Sequence, residues 1–141
     1  MKRTILLLLL PPLLISALYL LFLGHRTDYV GHFMAGYGGT LLVIAAMLEI
    51  LRDAKRPPTV PPVVAVALFI CIGIGAIEEA TTFRLAKFDE VDFFNQSLGA
   101  VLGALILLQI HPSERADSRS ALPSIATATL FLLLGFYYAF R

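Results

Sequence analysis

Charge is what this chain has least of. Of its 141 residues only 15% are Asp, Glu, Lys or Arg and 58% are hydrophobic, where an ordinary soluble domain carries roughly 25% and 45–50%. A mean hydropathy of +0.82 says the same. A domain of this size still exposes roughly 30% of its unfolded-chain surface, so a soluble fold could not hide so much apolar material. A soluble enzyme and a disordered chain are thereby excluded. A charge bias of either sign is also missing: 11 Lys and Arg face 10 Asp and Glu, a net charge of +1, and nothing draws the chain toward nucleic acid. The single cysteine, Cys71, rules out an intrachain disulfide and a multi-cysteine metal site, and within its apolar run it reads as a small buried hydrophobe. The sequence shows no internal repeat, low-complexity tail, second domain, nucleophile motif, Gly-rich phosphate loop or His-x-x-x-His pair.

The positions without charge define the class. Residues 4–24, 29–48, 57–77, 93–110 and 120–140 contain no Asp, Glu, Lys or Arg. Each run is close to the roughly 20 residues that cross about 30 Å of hydrocarbon at about 1.5 Å per residue. Lipid-facing strands would instead show runs of about 10 residues alternating apolar and polar. The expected fold is therefore all-α: one polytopic membrane bundle over residues 1–141, with five helices at about 4–24, 30–51, 59–79, 91–110 and 120–140. The first run follows Lys2 and Arg3 as a signal peptide would. It is longer than an h-region of about 7–15 residues and lacks a small-x-small cleavage pattern, so it reads as a retained anchor. Pro11 and Pro12 inside it remove helix hydrogen bonds and predict a kink near Leu8 to Pro12.

Counting cations gives the orientation. Lys2, Arg3, Arg52, Lys55, Arg56, Arg115 and Arg119 fall on one side and Arg26, Arg84, Lys87 and Arg141 on the other. The expectation is a multi-pass protein of the cell membrane with a cytoplasmic N-terminus, an outer C-terminus and the lipid bilayer as its principal partner. The oligomeric state is not written in the pattern. Folding the spans back and forth then gathers Asp28, His32, Glu78, Glu79, Asp89, Glu90, Asp92 and Asn95 at the outer end of helices 2, 3 and 4. Asp and Glu contribute little to insertion, so the bias calls for a functional or packing explanation.

Helical periodicity sharpens it. Asp92, Gln96, Gly99 and Gly103 share a stripe with Asn95 on its flank; His32, Ala35, Gly36 and Gly39 form a second, and Cys71, Gly75, Glu78 and Glu79 share a face. Small residues at such spacings let membrane helices approach closely. Glu78 and Glu79 lie at a helix C-terminus, where the dipole disfavours anions and a cationic partner such as His32, Arg84 or a metal is needed. Asp92 also reads as a helix N-cap. The predicted site is one outward-facing pocket in which His32, Glu79 and Asp92 converge, surrounded by Asp28, Glu78, Arg84, Asn95 and Gln96. An ion-pair cluster without further function would have the same geometry.

At these residues the sequence resembles a known family. Asp28-Tyr-Val-Gly-His32-Phe33 looks like the D-x-x-x-H-F opening of the second segment of VanZ-like membrane proteins, and Glu79, Asp92, Gly99 and Gly103 look like that family's later acidic residues and G-x-x-x-G. The similarity spans Asp28 to Gly103. It departs from the family pattern at Tyr29, Thr82 and Gln96, where Lys, Gln and Asn are usual, so the chain resembles a divergent member. The resemblance implies a small helical membrane protein of the bacterial cell envelope, in a family named for a member that confers teicoplanin resistance and without an established biochemical activity.

The reading that follows is a non-enzymatic membrane protein whose outer polar pocket suits a lipid-linked or cell-wall ligand, with no cofactor expected. Two other classes stand beside it: a metal-dependent membrane hydrolase using His32, Glu79 and Asp92 as ligands, a set suited to Zn or Mn, and an ion-coupled transporter, since intramembrane carboxylates mark ion pathways.

Overall fold

The computed structural model describes residues 2–24, 26–81, 88–110 and 122–140. All regular elements among them are helices: α1 (Lys2–Phe22), α2 (Thr27–Leu51), α3 (Val60–Thr81), α4 (Glu90–Ile110) and α5 (Leu122–Ala139). Four are long and apolar enough to cross a membrane. The fifth, Pro123–Ala139 in its apolar portion, is shorter than the span expected from residues 120–140. Helix α3 runs two residues past its expected end at Glu79, and α2 begins three residues before its expected start.

Helix α2 is the axis of the bundle and packs against each of the other four. Its buried residues include Val30, Phe33, Met34, Tyr37, Leu41 and Ile44. With Leu8 of α1, Val64 and Ala67 of α3, Leu107 of α4 and Phe131 of α5 they form a continuous apolar core. Helix α3 lies against α2 and α4, while α1 touches α2, α4 and α5. Large apolar side chains also point outward from every helix, among them Leu21, Ile50, Phe69, Phe94 and Leu133. The bundle therefore has an apolar exterior as well as an apolar core.

Helix α1 is unbroken through Pro11 and Pro12. Pro12 has no N–H to give the carbonyl of Leu8, four residues earlier. The Tyr37 hydroxyl of α2 donates to that carbonyl instead, at 2.7 Å in a buried setting. The partner a neighbouring helix must supply for a membrane proline is here one tyrosine, held edge-on against Phe131 at 4.9 Å between ring centres.

Close approach of α2 and α4 rests on two glycines. A Cβ on Gly36 would collide with the Gln96 carbonyl, and one on Gly99 with the Phe33 carbonyl. Gly103 is less constrained, its hypothetical Cβ lying 3.2 Å from the Tyr37 carbonyl. A Cβ on Gly39, one turn along from Gly36, would meet nothing within 4 Å among the described residues, so the expected second stripe is a packing stripe only in part.

Candidate functional site

The polar residues at one end of α2, α3 and α4 meet because the backbones there are close. His32 opens the first turns of α2, Glu79 stands near the end of α3 and Asp92 near the start of α4. On α3 the buried positions Ala67, Cys71, Gly75 and Glu79 recur every four residues, which carries Glu79 inward on the same face as the small residues. Its neighbour Glu78 is exposed. The two glutamates read as sharing a face are thus separated by the helical turn, and only Glu79 joins the interior.

Asp92 turns inward for a different reason. Asp89 caps α4: its Oδ1 accepts from the backbone N–H of Val91 at 2.9 Å and of Asp92 at 3.2 Å. This corrects the reading of Asp92 as the cap. With the helix end already satisfied, the Asp92 carboxylate is available to His32.

His32 lies between the two acids, Nδ1 3.7 Å from Glu79 Oε1 and Nε2 3.4 Å from Asp92 Oδ2. One ligating atom from each of the three falls within 4.8 Å of the others. Glu79 is 2% exposed. Neither Glu79 Oε1 nor Asp92 Oδ1 has a hydrogen-bond partner among the described residues. Charged groups taken from water cost several kcal/mol each unless paired and hydrogen-bonded, so the arrangement concentrates negative charge around one imidazole. It can hold a cation or share protons between the two carboxylates.

The surrounding residues take distinct places. Asp28 is engaged by Arg26 at 2.8 Å, and the Arg26 guanidinium lies 3.9 Å over the Tyr29 ring. The hydrogen bond to Asp28 raises the Arg26 pKa above its ordinary value. Asn95 is buried, and its Oδ1 accepts from the Tyr19 hydroxyl at 2.6 Å. Tyr19 in turn stacks on Phe33, with ring centres 5.9 Å apart. Asn95 thus ties α1 to α4, and Tyr19 is a contributor that the sequence reading missed. The signal available was a tyrosine near the end of an otherwise apolar helix, a position that asks for a polar partner. Gln96 points the other way from Asn95, and its side-chain amide lies over Gly75 of α3. Arg84, also expected at the site, lies outside the described residues.

Beside the triad lie two adjoining cavities. One of about 180 Å³ has His32, Glu78 and Gln96 on one wall and Leu132 and Phe136 of α5, with Phe140 just beyond it, on the other. The second, of about 210 Å³, continues from Gln96 and Glu78 past Gly39 to Cys71. Ala35 borders both, while Phe136 and Phe140 are themselves exposed on the outer surface of the bundle.

Comparison of the chain with protein-family models, with curated proteins and with solved structures gives no match.

Proposed function

We propose that the chain is a VanZ-like, multi-pass membrane protein of the bacterial cell envelope, non-enzymatic, whose cleft between α2 and α5 receives the head of a lipid-linked or cell-wall amphiphile. In this reading all five helices span the bilayer, with the N-terminus cytoplasmic and the C-terminus outside. The apolar exterior and the four long apolar helices support a membrane setting. The seven-to-four cation count supports the orientation, and the Asp28, His32, Glu79 and Asp92 pattern supports the family reading.

One observation carries the ligand: the cavity with His32, Glu78 and Gln96 facing Leu132, Phe136 and Phe140. A polar wall opposite an apolar one suits a molecule with both characters. Its volume of about 180 Å³ is below the roughly 300–1,000 Å³ that encloses a whole drug-sized ligand. It fits one end of an amphiphile whose remaining length lies along α5 in lipid. The acidic Glu78 at the wall favours a head that carries hydrogen-bond donors, such as an amine.

Native mass spectrometry of the detergent-purified protein, with phosphatidylethanolamine and phosphatidylglycerol as probes, tests this. Preferential retention of the amine-bearing lipid, reduced in Glu78→Gln and lost in Ala35→Leu, is the expected result. Equal retention of both lipids, or retention unchanged in Ala35→Leu, refutes the cleft as the binding site. Orientation is read separately from reporter fusions after Lys55 and after Lys87, which should report opposite sides of the membrane with Lys55 cytoplasmic.

A further inference from the structure

We infer that His32, Glu79 and Asp92 form a binding site for one divalent metal ion that takes Zn²⁺ in preference to Mn²⁺ or Mg²⁺. This goes beyond the amphiphile cleft and does not rest on it: the two share His32, but Glu79 and Asp92 do not line that cavity.

Three independent features converge. The first is the ligand set. One imidazole and two carboxylates, each from a different helix, offer atoms within 4.8 Å of one another. Bonds of about 2.0–2.2 Å to a shared metal place neighbouring ligand atoms about 3–3.6 Å apart. The acids stand at different ring nitrogens of His32, Glu79 at Nδ1 (3.7 Å) and Asp92 at Nε2 (3.4 Å), so a shared ion would take one nitrogen and draw the other carboxylate to it by side-chain rotation, from a starting set of atoms within 4.8 Å of one another. The second feature is the unspent capacity of the acids. Glu79 is 2% exposed, and its Oε1, the oxygen toward His32, accepts no hydrogen bond among the described residues, although the Asp89 backbone donates to the same carboxylate; Asp92 Oδ1 also has no hydrogen-bond partner among the described residues, while its Oδ2 is the oxygen nearest His32. A carboxylate buried for packing alone would be expected to have donors at both oxygens.

The third is charge. Ionised together, the two carboxylates would carry two negative charges, which a divalent ion cancels while a neutral imidazole ligates. An imidazolium would cancel only one of them. Arg26 is occupied by Asp28 and the Tyr29 ring, and Asp89 is committed to the α4 cap. In a low-dielectric setting this match between ion and site favours a divalent cation over a proton. Mixed nitrogen and oxygen donors suit Zn²⁺ and Mn²⁺, and the Irving–Williams order places Zn²⁺ ahead of Mn²⁺. Three protein ligands leave a fourth position for a ligand from outside the triad.

The test uses the full chain in detergent, stripped with a chelator and then dialysed against Zn²⁺, Mn²⁺ or Mg²⁺ alone, with bound metal measured by elemental analysis. One Zn²⁺ per chain is expected, with Mn²⁺ weaker and Mg²⁺ negligible. Co²⁺ in place of Zn²⁺ should give visible absorption bands characteristic of mixed nitrogen and oxygen ligation. The near-isosteric Glu79→Gln and Asp92→Asn should each weaken Zn²⁺ binding by more than the roughly 10–100-fold that loss of an outer-shell partner costs, while Glu90→Gln, at an exposed position of α4, binds as the parent does. Zn²⁺ should also raise the unfolding temperature of the parent and leave that of Glu79→Gln unchanged. Sub-stoichiometric metal in the parent overturns the inference without reference to any variant's folding. So does full Zn²⁺ uptake by both Glu79→Gln and Asp92→Asn, which would mean that the ion lies elsewhere.

Discussion

Helix α2 presents two close-packed faces that serve different ends. Toward α4, Gly36 and Gly99 bring backbone against backbone, and the same face carries His32 to Asp92. Toward α5 the same device recurs: a Cβ on Gly38 would lie 2.8 Å from the Ala128 carbonyl, and one on Gly135 2.8 Å from the Ala35 nitrogen. There the contact is apolar, with Tyr37 against Phe131, and a cleft opens beside the small Ala35. Close approach of membrane helices is thus a general packing device. It gathers ionisable groups only where the approaching segments also carry them, as the first turns of α2 and α4 do.

The most forceful way to break the comparison is to separate the backbones on the α4 face. Gly99→Leu places a side chain where the Phe33 carbonyl already stands. Overpacking typically costs about 1–3 kcal/mol and sometimes more, and backbone atoms can yield less than side chains. Gly99→Leu should abolish accumulation of folded protein, and Gly99→Ala should reduce it. Gly103→Ala, with its nearest contact at 3.2 Å, should be milder than either. Fluorescence-detected size exclusion of tagged variants measures this, and a Gly99→Leu protein as abundant and heat-stable as the parent would remove the basis for the close α2–α4 contact.

A smaller effect is expected where α2 meets α1. Tyr37→Phe leaves the Leu8 carbonyl without the donor that replaces the Pro12 N–H. An unsatisfied buried polar group costs about 1–3 kcal/mol, so the variant should unfold at lower temperature. Pro12→Ala restores a backbone N–H to the helix. In the Tyr37→Phe, Pro12→Ala double variant the loss should largely disappear, whereas additive losses would show that Tyr37 acts through packing alone. The site's own contrast is between adjacent residues: Glu79→Gln should alter heat stability, in either direction, by more than Glu78→Gln, because Glu79 is buried against His32 and Glu78 is exposed.

The helices were legible because charge-free runs and helix length obey the same limit, and each of the five expected helices has its counterpart. The meeting of His32, Glu79 and Asp92 was legible because alternating direction puts one end of α2, the far end of α3 and the start of α4 together. What periodicity could not resolve was which of two neighbours turns inward. Glu78 and Glu79 differ by a single 100° step, and Asp89 and Asp92 compete for one helix end, settled by hydrogen bonds to Val91 and Asp92. Cross-helix pairs such as Tyr19 with Asn95 and Tyr37 with Leu8 depend on the lateral order and rotation of helices, which a one-dimensional pattern does not carry.

The finest division lies within α2 itself, between Gly36 and Gly39. The two occupy one stripe in the sequence, and small-residue packing predicts the same penalty for enlarging either. Their surroundings differ: a methyl group on Gly36 meets the Gln96 backbone, whereas one on Gly39 meets nothing within 4 Å among the described residues and enters the second cavity. Alanine also costs less conformational entropy than glycine in a helix interior, by roughly 0.5–1 kcal/mol. Gly39→Ala should therefore leave the unfolding temperature unchanged or raise it slightly, while Gly36→Ala lowers it by a larger amount. Thermal unfolding of the pair in one detergent measures the difference. Equal destabilisation would mean that α2 is rotated so that Gly39 also faces a neighbouring helix, and the cavity beside Cys71 would then be filled. The observed geometry instead makes Gly39 a place where added volume costs no packing, and larger residues there should narrow the cavity before they disturb the fold.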